Sequence, residues 1–248
     1  MLDALRSLRG VLRSLWIYYG DNRRGRAMQR LYGYFVRSGD LVFDIGAHVG
    51  DRVRAFRRLG ARVVALEPQP PLAGTLRLLY GRDSMVTIEQ AAVGREPGAI
   101  ELSINVDNPT VSTASAEFIR AAEHAPGWKD QRWSKRVAAR VTTLDELIAA
   151  HGMPAFIKID VEGFEAKVLA GLSRPPAALS FEFTLIQRAL GRVCIERCRK
   201  LGYARFNAAL GESQTFEHAE WIDADAIERW LEALPMEANS GDIYARLA

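Results

Sequence analysis

Residues 42–50 read VFDIGAHVG: an apolar strand closes in Asp44 and runs into a loop with Gly46 and Gly50. Two further stretches repeat the plan. VVALEP at 63–68 ends a second apolar strand in Glu67, and FIKIDVEGFE at 156–165 sets Asp160, Glu162 and Glu165 just past a third. Open parallel α/β sheets bind their ligands beyond the carboxyl ends of the strands, so these three segments describe one ligand-facing rim. Glu67 closes the strand that follows the glycine loop, where a carboxylate can accept both hydroxyls of a ribose.

Outward from these segments the chain alternates strand and helix. Strands are expected at 41–45, 62–67, 86–93, 156–160, 177–183, 203–210 and 242–247, and helices between them end at Gly60, Gly152 and Gly202. This alternation predicts an α/β fold, a doubly wound, seven-stranded and mainly parallel sheet with helices on both faces. The rhythm breaks between 94 and 143. Residues 98–106 and 137–144 alternate like strands, and the polar stretch between them holds Asn108, Pro109, Ser112, Thr113, Trp128 and Trp133. An insertion of this length at about 103–140 reads as a substrate-facing flap with a short helix near 115–123. Residues 1–37 read as an N-terminal helical extension and 38–248 as the main domain. Residues 20–26, GDNRRGR, read as a loop before a helix through 28–36.

The chain has 248 residues, 48% of them apolar, enough for one full α/β core. No apolar run approaches a membrane span, and the first residues lack the pattern of a secretory signal, so the expected location is the cytoplasm. The net charge of +3 is unevenly spread: residues 1–62 hold thirteen arginines against five aspartates and no glutamate. Within 2–19, Leu2, Leu5, Leu8, Val11, Leu12 and Leu15 recur at helical spacing with Arg6, Arg9 and Arg13 between them, followed by Trp16, Tyr18 and Tyr19. Such a helix can lie on an anionic membrane surface, pack on the main domain, or join a second subunit in a homodimer. Packing is the favoured expectation. Nucleic acid is not an expected partner, because no RNA-binding module or aromatic–basic motif accompanies the arginines. Cys194 and Cys198 are spaced neither as a zinc knuckle nor as a redox pair and read as two partly buried, reduced thiols.

Gly46 and Gly50 would let the backbone approach a ligand, and the free N–H groups at the start of the next helix suit a carboxylate. Asp44 can hold an ammonium, directly or through water. A dinucleotide fingerprint would read G-x-G-x-x-G, but 46–51 read GAHVGD, with His48 and Asp51 at the second and third glycine positions. That argues against a nicotinamide enzyme.

From about Gly39 to Phe183 the chain resembles the FkbM family of S-adenosylmethionine-dependent methyltransferases. The segments that carry the resemblance are DIGAHVG, ALEP, AAVG at 91–94, TTLDEL at 142–147, KIDVEGFE and LSFEF. His48 stands where the family usually has Asn. The resemblance implies a class I, Rossmann-like methyltransferase fold, S-adenosylmethionine as cofactor, and O-methylation of a small-molecule or glycan acceptor. It also implies that Gln90 and Ala91 lie near the adenine. The cofactor-binding candidates are then Asp44, Gly46, Ala47, His48, Gly50, Glu67, Pro68, Gln90, Ala91 and Asp160. An alcohol acceptor must lose its proton, and Asp160 is the first candidate to take it or to orient the acceptor, with Glu162, His48 and Glu182 next. The sequence shows no acid cluster of the kind a Mg²⁺ site would need, so no metal is expected. An RNA methyltransferase and a non-catalytic cofactor-binding scaffold are the competing readings.

Overall fold

The computed structural model describes residues 2–248, with side chains from Arg6 onward. The side chains of Leu2 and Leu5 therefore lie outside the described residues. Two helices come first, α1 (Leu2–Tyr19) and α2 (Asn22–Tyr32). Then follow β1 (Leu41–Ile45), α3 (Asp51–Arg58), β2 (Arg62–Leu66), α4 (Pro70–Tyr80), β3 (Val86–Glu89), β4 (Ala92–Val93) and β5 (Gly98–Ile104). The second half holds α5 (Ala116–Glu123), β6 (Lys135–Thr142), α6 (Leu144–His151), β7 (Phe156–Ile159), α7 (Glu165–Ala170) and β8 (Ala178–Thr184). It closes with α8 (Arg188–Lys200), β9 (Arg205–Leu210), α9 (Ala224–Ala233) and β10 (Ser240–Arg246).

Seven strands form the main sheet in the order β3-β2-β1-β7-β8-β10-β9. All pairs are parallel except those of β10, which runs antiparallel to β8 and β9. The order reverses between β1 and β7, and the crevice beyond their carboxyl ends is where ligands bind in such sheets. The two faces of the sheet differ. Phe43, Ile45, Ile157, Ile159, Leu179 and Phe181 belong to the larger apolar core. On the other face, Val42, Phe156, Ala178 and Tyr244 pack with α2 and α3. Toward the carboxyl edge this second face turns polar, because strand periodicity places Asp44, Lys158, Ser180 and Asp242 on it in adjacent registers.

Three expectations need correction. Residues 86–93 are two strands, not one. The chain leaves the main sheet after Glu89, and Ala92–Val93 pairs with β6 in a separate three-stranded sheet of order β4-β6-β5. α2 starts at Asn22, inside the expected loop, because the Asp21 side chain accepts the N–H of Arg23 and caps it. The helix that the sequence suggests over 186–201 begins instead as a 3-10 turn, Leu185–Gln187, before α8. Cys194 and Cys198 are buried free thiols. Among the described residues, no helix is long and apolar enough to cross a membrane.

Candidate functional site

A cavity of about 1110 Å³, counted with its solvent-open space, lies at the β1–β7 reversal. Its walls include the β1 loop (Gly46, Ala47, His48), the β2 end (Glu67, Pro68, Gln69), the β7 turn (Asp160, Val161, Glu162) and the flap (Thr110, Ser112, Thr113). Ala91 lines it with Ala92 and Val93. The expected flap thus faces the cavity, held by the Trp133 indole N–H on the Val111 carbonyl at 2.8 Å and by Thr113 Oγ1 on the Glu162 carbonyl at 2.6 Å.

Glu67 is the best-defined group in it. It is 3% exposed, and its two oxygens accept the backbone N–H groups of His48 (3.0 Å) and Gln69 (2.8 Å). Each oxygen keeps a further acceptor site, so two hydroxyl donors can still be received. His48 reaches this position at a φ of 50°, and its backbone, not its ring, meets the carboxylate. The His48 ring lies edge-on to Tyr18 at 5.2 Å, with Nε2 3.5 Å from Thr110 Oγ1. Burial lowers the imidazole to about 4, so the ring is neutral at physiological pH.

Burial raises Glu67 to about 8 and Asp44 to about 7. Both shifts favour the protonated acid in the folded chain. Their stabilising contribution is complete below the ordinary values of 4.5 and 3.8 and is lost as pH rises through 7 and 8. The ligand-free protein should therefore melt at a lower temperature at pH 9 than at pH 6, and Glu67→Gln should flatten part of that slope. An unchanged slope in the variant would show that Glu67 does not titrate in this range.

The β7 turn gathers charge. Lys158, fully buried, donates to Asp160 at 3.1 Å and to Asp242 at 2.8 Å. Arg52 reaches Asp160 at 3.7 Å, Asp51 at 3.0 Å and Glu212 at 3.5 Å. Burial alone would raise Asp160, but Lys158 and Arg52 outweigh it and hold the carboxyl at about 2. Burial and the neighbouring carboxylates push Glu162 and Glu182 well above the usual range.

The absence of an acid cluster, expected from the sequence, is corrected here. The Lys158–Ser180 register brings the end of β7 level with Glu182, and Glu162 turns inward at a φ of 52°. One carboxylate oxygen each of Asp160, Glu162 and Glu182 then lies within 4.8 Å of the others. Such a trio can receive a hard divalent cation or the cationic part of a ligand. Glu165 does not join them: its carboxylate accepts the N–H groups of Val161 (3.1 Å) and Gly163 (3.2 Å) and holds the turn.

Three other candidates sit elsewhere than expected. Gln90 is exposed, and its side chain accepts from Arg77 at 3.1 Å, away from the cavity lining. Gly50 lies against α4, where a Cβ would come within 2.7 Å of Leu76 and Tyr80. Its freedom serves helix packing rather than a ligand. Asp44 is fully buried behind the lining, with neither carboxylate oxygen partnered, so a ligand contact would run through water. Sequence reasoning missed Gln69, Thr110, Tyr18, Arg52, Glu212 and Asp242, which reach the cavity only through the tertiary fold.

The family model described as "Methyltransferase FkbM domain" matches residues 44–234. Over 163 residues the chain is 29% identical to the 31-O-demethyl-FK506 methyltransferase FkbM of Streptomyces tacrolimicus, a match covering 57% of this chain and 62% of that protein. Similar solved structures include a TehB-like SAM-dependent methyltransferase from Corynebacterium glutamicum (9% identity, TM-score 0.46, 90% of this chain and 88% of that one). Another is the magnesium protoporphyrin IX methyltransferase of Synechocystis PCC 6803 with bound SAM (10% identity, TM-score 0.45, 96% and 84%). The fold is defined by the strand order β3-β2-β1-β7-β8-β10-β9 with β10 antiparallel.

Proposed function

The chain belongs to the FkbM methyltransferase domain family, and we propose that it is an S-adenosylmethionine-dependent methyltransferase acting on a hydroxyl of a sugar, glycan or small natural product. The observation that carries this reading is Glu67, a buried carboxylate at the end of β2, fixed by two backbone N–H groups with acceptor sites to spare. The residues present fit the cofactor: Glu67 takes the ribose hydroxyls, Ala91 and Val93 offer an apolar wall for the base, and the orphaned Asp44 carboxylate awaits a cationic partner through water. The named relative is, by its name, an O-demethyl-compound methyltransferase, which supports oxygen as the acceptor atom.

When bound, S-adenosylmethionine supplies a methyl already activated by the sulfonium. The protein's task would be to align the acceptor oxygen with that methyl and to receive the hydroxyl proton. Asp160, held between Lys158 and Arg52, is suited to orient the acceptor. Glu162 and Glu182 flank it, and either can take the proton only in its ionised form, which burial and the neighbouring carboxylates disfavour. The neutral His48 ring on the opposite wall is the remaining proton acceptor.

The test is transfer of labelled methyl from S-adenosylmethionine to a panel of sugars, glycans and hydroxylated natural products. Glu67→Gln should weaken S-adenosylhomocysteine binding by about 1–3 kcal/mol, since the amide keeps one acceptor oxygen and turns its NH2 toward a backbone N–H and a ribose hydroxyl. Binding equal to the wild type would rule out the ribose role, and transfer only to nitrogen or carbon acceptors would rule out O-methylation.

A further inference from the structure

α1 is divided lengthwise. At about 100° of turn per residue, Gly10, Val11, Ser14, Leu15 and Tyr18 share one side. There Val11 packs with Val49 and Leu72, and Tyr18 lines the cavity. The other half carries Leu8, Leu12 and Trp16, exposed by 54%, 54% and 79%, with Arg9 and Arg13 beside them, also exposed, and Ile17 at the edge. The apolar arc of this helix is wider than the surface it packs on, so about half of it faces water. No acidic residue occurs from Arg6 to Gly20, and Arg23, Arg26 and Arg30 of α2 are exposed next in the chain. α4, packed along α1 through Leu72, exposes Leu78 and Leu79.

A large apolar stripe edged by arginines, with the exposed Asp107 carboxylate already engaged by Arg6 at its margin, fits one kind of surface, in which hydrocarbon lies beneath negative charge. We propose that the outer face of α1 seats the protein on anionic lipid bilayers, with Leu8, Leu12 and Trp16 entering the headgroup boundary and Arg9 and Arg13 meeting lipid phosphates. A second copy of the chain fits less well. A twofold contact would set this arginine-edged face against itself, and the carboxylate beside it, Asp107, is already paired with Arg6. Tyr18, on the far side of the same helix, lines the cavity, so the bilayer and the cavity would stand about one helix diameter, ~10 Å, apart.

The experiment is co-sedimentation of the full chain with vesicles of phosphatidylcholine alone and of phosphatidylcholine with about 30% phosphatidylglycerol, at low and high salt. Sedimentation velocity without lipid runs in parallel. The wild type should partition at least about tenfold more onto the anionic vesicles, with salt reducing the uptake. Leu12→Asp and Trp16→Ser, both at exposed positions, should lose at least about tenfold of that uptake while keeping the wild-type melting temperature and S-adenosylhomocysteine affinity. Three results would overturn the proposal. The wild type could stay in solution with both vesicle types. Uptake could survive in both variants. A lipid-independent dimer that the same substitutions break would assign the face to a second copy instead. None of these outcomes bears on methyl transfer, so this proposal and the enzymatic one fail separately.

Discussion

Gly46→Ala should abolish measurable S-adenosylhomocysteine binding and lower the melting temperature by several degrees. Gly46 sits at a φ of +83°, where a Cβ would lie 1.8 Å from the carbonyl oxygen of Asp160. That oxygen cannot step aside, because it belongs to the backbone of the turn after β7, and the Asp160 N–H is tied to the Ile45 carbonyl at 2.9 Å. The methyl group forces the β1 loop away from the β7 turn and adds the cost of a left-handed alanine, together roughly 2–5 kcal/mol. The Gly46 and Ala47 N–H groups both bond the Leu66 carbonyl at 2.9 Å, so the displacement also reaches the Glu67 position. Calorimetric melting and ligand titration of the variant check this. Wild-type values in both would mean that the two turns are not packed as described.

The second large effect is expected from Lys158→Met. Burial penalises the ammonium, but Asp160 and Asp242 more than offset that penalty and raise its pKa well above the ordinary range. Removing the charge leaves two carboxylates, at 3.1 and 2.8 Å from the former Nζ, without their shared cation. Breaking such a buried pair costs about 3–5 kcal/mol. The loss should be largest at neutral pH, where Asp160 is ionised, and shrink toward acid pH. Lys158→Met combined with Asp242→Asn should recover part of the loss, because the two positions interact directly. Denaturant titrations of the single and double variants at two pH values measure this. Additive losses would show that Lys158 and Asp242 do not act as a pair.

What the sequence reveals about this protein is largely what is local in it. The strand-end acids of DIGAHVG, ALEP and KIDVEG lie next to the strands that present them, so the rim, the reversal point and Glu67 can be read directly. The break at Gln90 cannot, because VTIEQAAV carries no glycine or proline to mark a turn and is divided by the pairing of Ala92–Val93 with β6. α2 hides its start for a similar reason: NRRGR looks like a loop until Asp21 caps it. The carboxylate trio needs the β7–β8 register and a left-handed Glu162, neither of which a single sequence displays. Asp242 meets Lys158 from 84 residues away. Gly50 shows the opposite failure: a glycine in a ligand-like loop proves to be required by α4. The two faces of α1 were legible as a pattern, but which of them the protein covers was not.

Calorimetric titration of the full-length protein with S-adenosylhomocysteine, with NAD⁺ as the control, tests the central claim most directly. The structure predicts one S-adenosylhomocysteine site per chain with micromolar affinity, strongly weakened in Glu67→Gln, and no heat from NAD⁺. Binding of NAD⁺ in preference, or S-adenosylhomocysteine binding indifferent to Glu67, would contradict it.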